Sequence, residues 1–236
     1  MTWFSRFFGL QGAPGQTLTA RQQQLIAGWQ QLPEPDLRRS HYRCRYVVVD
    51  VEATGIDVNS DRLCAIAALP LVDGQIDFKE AFRLLLADAA VPADRLPAPD
   101  EAAARQMAEE SIDGLICFLR FVGKAPLVAY NAPFVARMID STLREALGVS
   151  LELPWIDLAW VLPDLFREVG DQQGRLDVWL EHFAIDNIQR HDALSDAFAT
   201  AQLLQIAMAH ASRKGFDTPD SLLALEKARR HLHQSG

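Results

Sequence analysis

The chain has 236 residues, 49% of them hydrophobic and 23% charged, with a formal net charge of −8. That length buries one good core with room for terminal extensions, and the composition excludes a disordered or fibrous chain. The acidic balance argues against a protein that grips long duplex through its whole surface, since such affinity comes from neutralising phosphates. It leaves open an enzyme whose acids gather divalent cations.

In the first ten residues Trp3, Phe4, Phe7 and Phe8 fall on one helical face. Such a face suits docking on a protein partner or membrane surface, or packing on the chain's own domain. The segment lacks the continuous apolar core and cleavage site of a signal peptide. Residues 11–45 are Gln-rich, residues 21–32 predict a helix, and the stretch 1–45 reads as an extension with helices. Ala65 to Val72 is the longest apolar run, contains Pro70 and is too short to span a bilayer. Three cysteines, odd in number and without zinc spacing, predict buried thiols in a reducing, cytoplasmic setting.

The domain proper, residues 46–212, starts with a β-branched strand over Tyr46 to Val51, and Arg62 to Val72 predicts a second. Asp73-Gly74 is a two-residue hairpin signal leading into a third strand over Ile76 to Leu86. Pro92, Pro97 and Pro99 mark a loop. Glu101 to Phe121 has helical periodicity with Ile112, Leu115, Ile116 and Leu119 inward. A short strand over Pro126 to Tyr130 precedes a helix over Phe134 to Leu147, closed by Gly148. Then come a strand at Trp155-Ile156, a helix from Leu158 broken by Pro163, and helices over Leu176 to Phe183 and Ala193 to Ala211. Residues 213–236 form a tail with a helix over Pro219 to His231. The order predicts an α/β domain, a mixed five-stranded sheet flanked by helices.

Side chains alternate along a strand, so Asp50 and Glu52 share one face, about 6–7 Å apart at Cα, while Val49 and Val51 fill the other. Two like charges ending an apolar strand are costly unless a cation or hydrogen-bond donors compensate them. All-oxygen ligands suit Mg²⁺ or Mn²⁺; salt bridges or turn caps are the competing use of the pair. Thr54-Gly55 makes a turn at the sheet's carboxyl end, where ligands of open α/β sheets bind. Its amides suit either a terminal phosphate or sugar, or an ordinary turn. Later, His191 and Asp196 lie five residues apart, about 140° around a helix, so both face one site only if His191 precedes the helix. Asp192 is a good N-cap and places the start there. Asp196 then suits a metal and His191 a general base toward water, against a surface role for a loop histidine.

Together, Val47-Val48-Val49-Asp50-Val51-Glu52-Ala53-Thr54-Gly55 and His191-Asp192-Ala193-Leu194-Ser195-Asp196-Ala197-Phe198-Ala199-Thr200 resemble the first and third motifs of the DEDDh 3′-to-5′ exonucleases. That family includes the proofreading epsilon subunit of bacterial DNA polymerase III and ribonuclease T. The resemblance covers roughly Tyr46 to Met208. It implies a ribonuclease H-like fold and two Mg²⁺ or Mn²⁺ ions that activate water and neutralise the leaving 3′-oxygen. It further implies release of nucleoside monophosphates from single-stranded DNA or RNA 3′ ends. Carried onto this chain, Asp50, Glu52 and Asp196 would be metal ligands and His191 the general base. Ala53, Thr54, Gly55, Asn131 and Phe134 would hold the terminal nucleotide.

The family's second motif ends in Asn-x-x-Phe-Asp, whereas this chain reads Asn131-Ala132-Pro133-Phe134-Val135. Valine cannot ligate a metal. Asp140 lies about 140° round the same helix and should face away; Asp157 reads as an N-cap. Loss of one acid predicts turnover lowered by roughly 10² to 10³, or a silent domain that binds nucleic-acid ends, nucleotides or a polymerase partner.

Overall fold

The computed structural model describes residues 18–86, 101–169 and 175–234. The aromatic N-terminal decapeptide and the proline loop at 92–99 lie outside them. Helix α1 (Ala20–Gln30) opens with a capping box, in which the Thr19 hydroxyl accepts from the Gln22 amide and the Gln22 side chain answers to the Thr19 N–H. Its Ile26 and Trp29 are buried, and the Trp29 indole donates to the Gly123 carbonyl at 2.8 Å.

Strand β1 (Tyr46–Ala53) pairs antiparallel with β2 (Leu63–Val72) along its whole length. Asp73 and Gly74 both take positive φ, at 52° and 76°, as the predicted tight hairpin requires. The expected third strand is broken. It divides into β3 (Gln75–Ile76) and β4 (Phe82–Leu85), separated by a 3₁₀ turn over Phe78–Glu80 in which the Asp77 carboxylate accepts from the Lys79 amide. Both pieces pair with β2, so among the described residues the sheet has six strands rather than five.

Helix α2 (Glu101–Val122) leads to β5 (Leu127–Ala129), parallel to β1, and helix α3 (Ala132–Leu147) to β6 (Trp155–Asp157), parallel to β5. Gly148 closes α3 in the left-handed region with φ 66°. Helix α4 (Leu158–Leu165) runs two residues past Pro163, so the proline sits near its end without breaking it. Helices α5 (Leu176–His182), α6 (Ala193–Arg213) and α7 (Pro219–Gln234) complete the chain.

Apolar clusters among the described residues cover both faces of the sheet. Val47 and Val49 meet α1, α2 and α3 on one face, while Tyr46 and Val48 meet α4, α5, α6 and α7 on the other. The strand period of two therefore turns Asp50 and Glu52 toward the α6 side. The extensions are tied together by His41, fully buried, which accepts from the Tyr46 hydroxyl at 2.6 Å and donates to the Phe216 carbonyl at 2.9 Å. The expectation of buried thiols is not met: Cys44 and Cys64 are half-buried and Cys117 is exposed. No helix among the described residues is long and apolar enough to cross a membrane.

Candidate active site

Asp50 and Glu52 stand opposite Ala67 and Ala65 of β2, whose small side chains leave the acids room over the sheet. The register shifts between Glu52 and Ala53, and this irregularity ends the regular pairing beside the acids. Helix α6 begins next to them: the Ala193 N–H, one of its unsatisfied first-turn donors, donates to Glu52 Oε1 at 2.9 Å. Asp192 is the N-cap, as its position predicts, accepting from the Ser195 amide at 3.0 Å and pairing with Arg83 of β4 at 3.0 Å. His191 precedes the helix with φ 62°, exposed, and its N–H donates to Asp196 Oδ2 at 3.2 Å. Helix entry thus sets the His191 backbone against the Asp196 carboxylate despite their angular separation on an ideal helix.

Desolvation by burial, then the neighbouring Asp196 and Glu52, push the Asp50 carboxyl up to about 8, against the Val51 amide and Arg190, which favour its charged form. A cation beside Asp50 would relieve that cost, and two carboxylates such as Asp50 and Glu52 suit a hard divalent ion. Asp196 is engaged differently. Its Oδ1 accepts from the Asn187 side-chain amide and faces Arg190 Nη1 at 3.5 Å, while Oδ2 faces the His191 amide. Among the described residues, no three histidine, cysteine, aspartate or glutamate side chains stand close enough to hold one ion as placed. Neither Asn187 nor Arg190 was legible as a site residue; the one hint is that Arg190 directly precedes His191.

The Thr54-Gly55 turn is locked internally. The Thr54 hydroxyl donates to Asp61 Oδ1 at 2.8 Å and accepts from the Arg62 amide at 3.0 Å, and Asp61 Oδ2 accepts from the Asp57 amide at 2.8 Å. A Cβ on Gly55 would collide with the Asp61 carboxylate, which is why glycine stands there. Beyond it Ile56 is 90% exposed, an apolar side chain open to solvent.

Asn131 adopts the left-handed region with φ 62° and its N–H donates to Asp157 Oδ1 at 2.9 Å; its side chain caps nothing. Val135 is 2% exposed in the apolar cluster formed by α1, α2 and α3, and Phe134 packs half-buried against that cluster. Asp140 is turned to Arg144, Ser150 and the Leu151 amide, and Asp157 caps α4 by accepting from Ala159 at 3.1 Å. Neither replaces a carboxylate at 135. A cavity of about 830 Å³ lies elsewhere, at the start of β1, lined by Arg45, Phe121 and Lys124.

A mixed sheet with acids at the carboxyl end of its central strand, sandwiched by helices, defines a ribonuclease H-like α/β domain. The family model RNase_T, described as Exonuclease, matches residues 47–204, and the chain belongs to that exonuclease family. It is 29% identical over 178 residues to the PolC-type DNA polymerase III of Thermotoga petrophila, covering 72% of this chain and 13% of that one. Against the PolC-type DNA polymerase III of Bacillus subtilis it is 30% identical over 187 residues, covering 75% and 12%. The chain thus spans about an eighth of these relatives' length. The fold is similar to that of the zinc-bound Escherichia coli exonuclease I complex with single-stranded DNA. The TM-score is 0.51 at 20% identity, covering 72% of this chain and 42% of that one.

Proposed function

We propose that the protein is a metal-dependent 3′-to-5′ exonuclease that removes nucleoside monophosphates from single-stranded DNA or RNA ends, with turnover lowered by Val135. The observation that carries this reading is Asp50: a half-buried carboxyl at the end of the central strand whose charge is disfavoured by desolvation and by Asp196 and Glu52. A structural residue at that point would be served better by an uncharged side chain.

In this mechanism Asp50 and Glu52 would hold a divalent cation, Mg²⁺ or Mn²⁺, with Asp196 beside them. The bound ion would lower the pKa of water and neutralise charge on the scissile phosphate. His191, on its exposed turn, takes the proton from the attacking water on its imidazole. As the water oxygen bonds to phosphorus, the bond to the 3′-oxygen of the preceding nucleotide breaks, and that oxygen takes a proton from solvent as the proton held on His191 is released to solvent. The backbone of Ala53 and Gly55, with Asn131 and Phe134, would hold the terminal nucleotide beside Thr54, whose own amide is given to the Arg62 carbonyl. Support for a single-stranded substrate comes from the similarity to the single-stranded DNA complex of exonuclease I.

A second reading is favoured by the burial of Val135 in an apolar cluster: a catalytically silent domain that keeps the fold to bind nucleic-acid ends, nucleotides or a polymerase partner. End-labelled single-stranded DNA and RNA incubated with Mg²⁺ or Mn²⁺ separate the two. Slow wild-type degradation that Asp50→Ala abolishes is the expected result. An inert wild type that gains Asp50-dependent activity in Val135→Asp establishes the silent domain. If Val135→Asp stays inert as well, the metal site itself is wrong.

A further inference from the structure

Asp196 sits in a cradle made by the loop before α6. Ser195 Oγ donates to Asn187 Oδ1 at 2.8 Å and accepts from the Gln189 amide at 2.8 Å, which turns the Asn187 amide nitrogen toward Asp196 Oδ1. Arg190 completes the cradle. Its Nη2 lies 3.0 and 3.1 Å from the two oxygens of Asp177 on α5, and its Nη1 lies 3.5 Å from Asp196 Oδ1. The side chain of Asp196 is 13% exposed and that of Asp177 57% exposed, so the charge Arg190 meets with least screening is that of Asp196.

We propose that Arg190 is the resident counter-cation of the acid cluster, neutralising Asp196 so that the protein takes one divalent ion, through Asp50 and Glu52, rather than two. The inference rests on the exonuclease reading for the identity of that ion. Charge balance supports it. Four carboxylates offset two divalent ions, as the family resemblance implies; with Val135 in place of the fourth, three carboxylates are offset by one divalent ion and one guanidinium. The guanidinium is an apt substitute because it never deprotonates and its fork lets Asp177 hold it at one end while Asp196 meets the other. A second ion drawing on Asp196 Oδ1 would have to displace both Arg190 and the Asn187 amide.

The test is Mn²⁺ binding to the full chain by calorimetry and by electron paramagnetic resonance, with wild type, Arg190→Gln, Arg190→Lys and Asp50→Asn compared. Wild type should bind one ion per chain. Removing the positive charge in Arg190→Gln should tighten Mn²⁺ binding by about tenfold or admit a second ion, whereas Arg190→Lys should keep the wild-type count. In chelator, Arg190→Gln should melt below wild type and recover more than wild type on adding Mn²⁺, with circular dichroism confirming that it is folded. Equal affinity and stoichiometry in wild type and Arg190→Gln, or two ions in wild type, overturns the counter-cation. Mn²⁺ bound through Asp50 without nuclease activity overturns the exonuclease reading and leaves this inference standing.

Discussion

Arg230 Nη2 donates to Asp157 Oδ2 at 2.8 Å, joining the C-terminal helix to a carboxylate that is 1% exposed at the end of β6. Asp157 Oδ1 accepts from the Asn131 and Ala159 amides, and the Asp157 amide donates to Glu226 Oε2. Burial pushes the Asp157 carboxyl up despite these donors and Arg230, so the charge is held against a real desolvation cost. Arg230→Met leaves that charge buried without its cation and should destabilise the protein by about 3 kcal/mol. Adding Asp157→Asn should recover part of the loss in urea melts, as a double-mutant cycle will show; additive losses would mean that the pair is uncoupled.

Val135→Asp should behave differently with and without metal. Its carboxylate enters an apolar cluster, so in chelator the variant should lose about 1–3 kcal/mol. With Mn²⁺ present the loss should shrink, and nuclease turnover should rise by roughly 10² or more. Melting curves in chelator and in Mn²⁺ give the first comparison, and oligonucleotide degradation the second.

Asp50 makes the metal-free protein sensitive to alkali. Its folded carboxyl is raised to about 8 from an ordinary 3.8, so between those values the native state binds a proton that the unfolded chain has lost. Stability should therefore fall as pH rises from about 4 to about 8, by up to about 1.4 kcal/mol per unit. Thermal melts in chelator should show this decline in wild type and a flatter profile in Asp50→Asn, which at pH 8 should melt above wild type.

His41 acts at the opposite limb. Burial lowers its pKa from the ordinary 6.5, outweighing the Phe216 carbonyl and Asp217, which raise it. The unfolded chain then takes up a proton that the native imidazole refuses, so stability drops as pH falls below about 6.5. His41→Phe should flatten that acid limb while costing stability near neutral pH through the unpaired Tyr46 hydroxyl. An unchanged acid limb in the variant would assign it to other groups.

Local signals were legible wherever the chemistry is local. The β-branched run, the Asp73-Gly74 hairpin and the Asp192 cap each depend on a few adjacent residues, and the structure bears them out. The break in the third strand escaped because Asp77 competes for backbone amides with the sheet ladder, and periodicity does not weigh that contest. Arg230 lies 73 residues from Asp157, and no spacing rule pairs them. The cradle around Asp196 escaped for a different reason: it forms only when the loop of Asn187 and Arg190 folds back on α6, and the same residue types serve equally well on an open surface. Cys117 lies on the exposed side of α2, where composition alone had suggested burial.

The division of the third strand also shapes what the molecule presents to other chains. On the outer side of β2 the sheet ends in pieces of two and four residues with a 3₁₀ turn between them, and at its other side in the three residues of β6. A foreign strand needs a continuous row of free amides and carbonyls to add itself to a sheet. Among the described residues neither border offers one, which is a safeguard against growing by strand addition at the flanks of the sheet whose centre bears the acids.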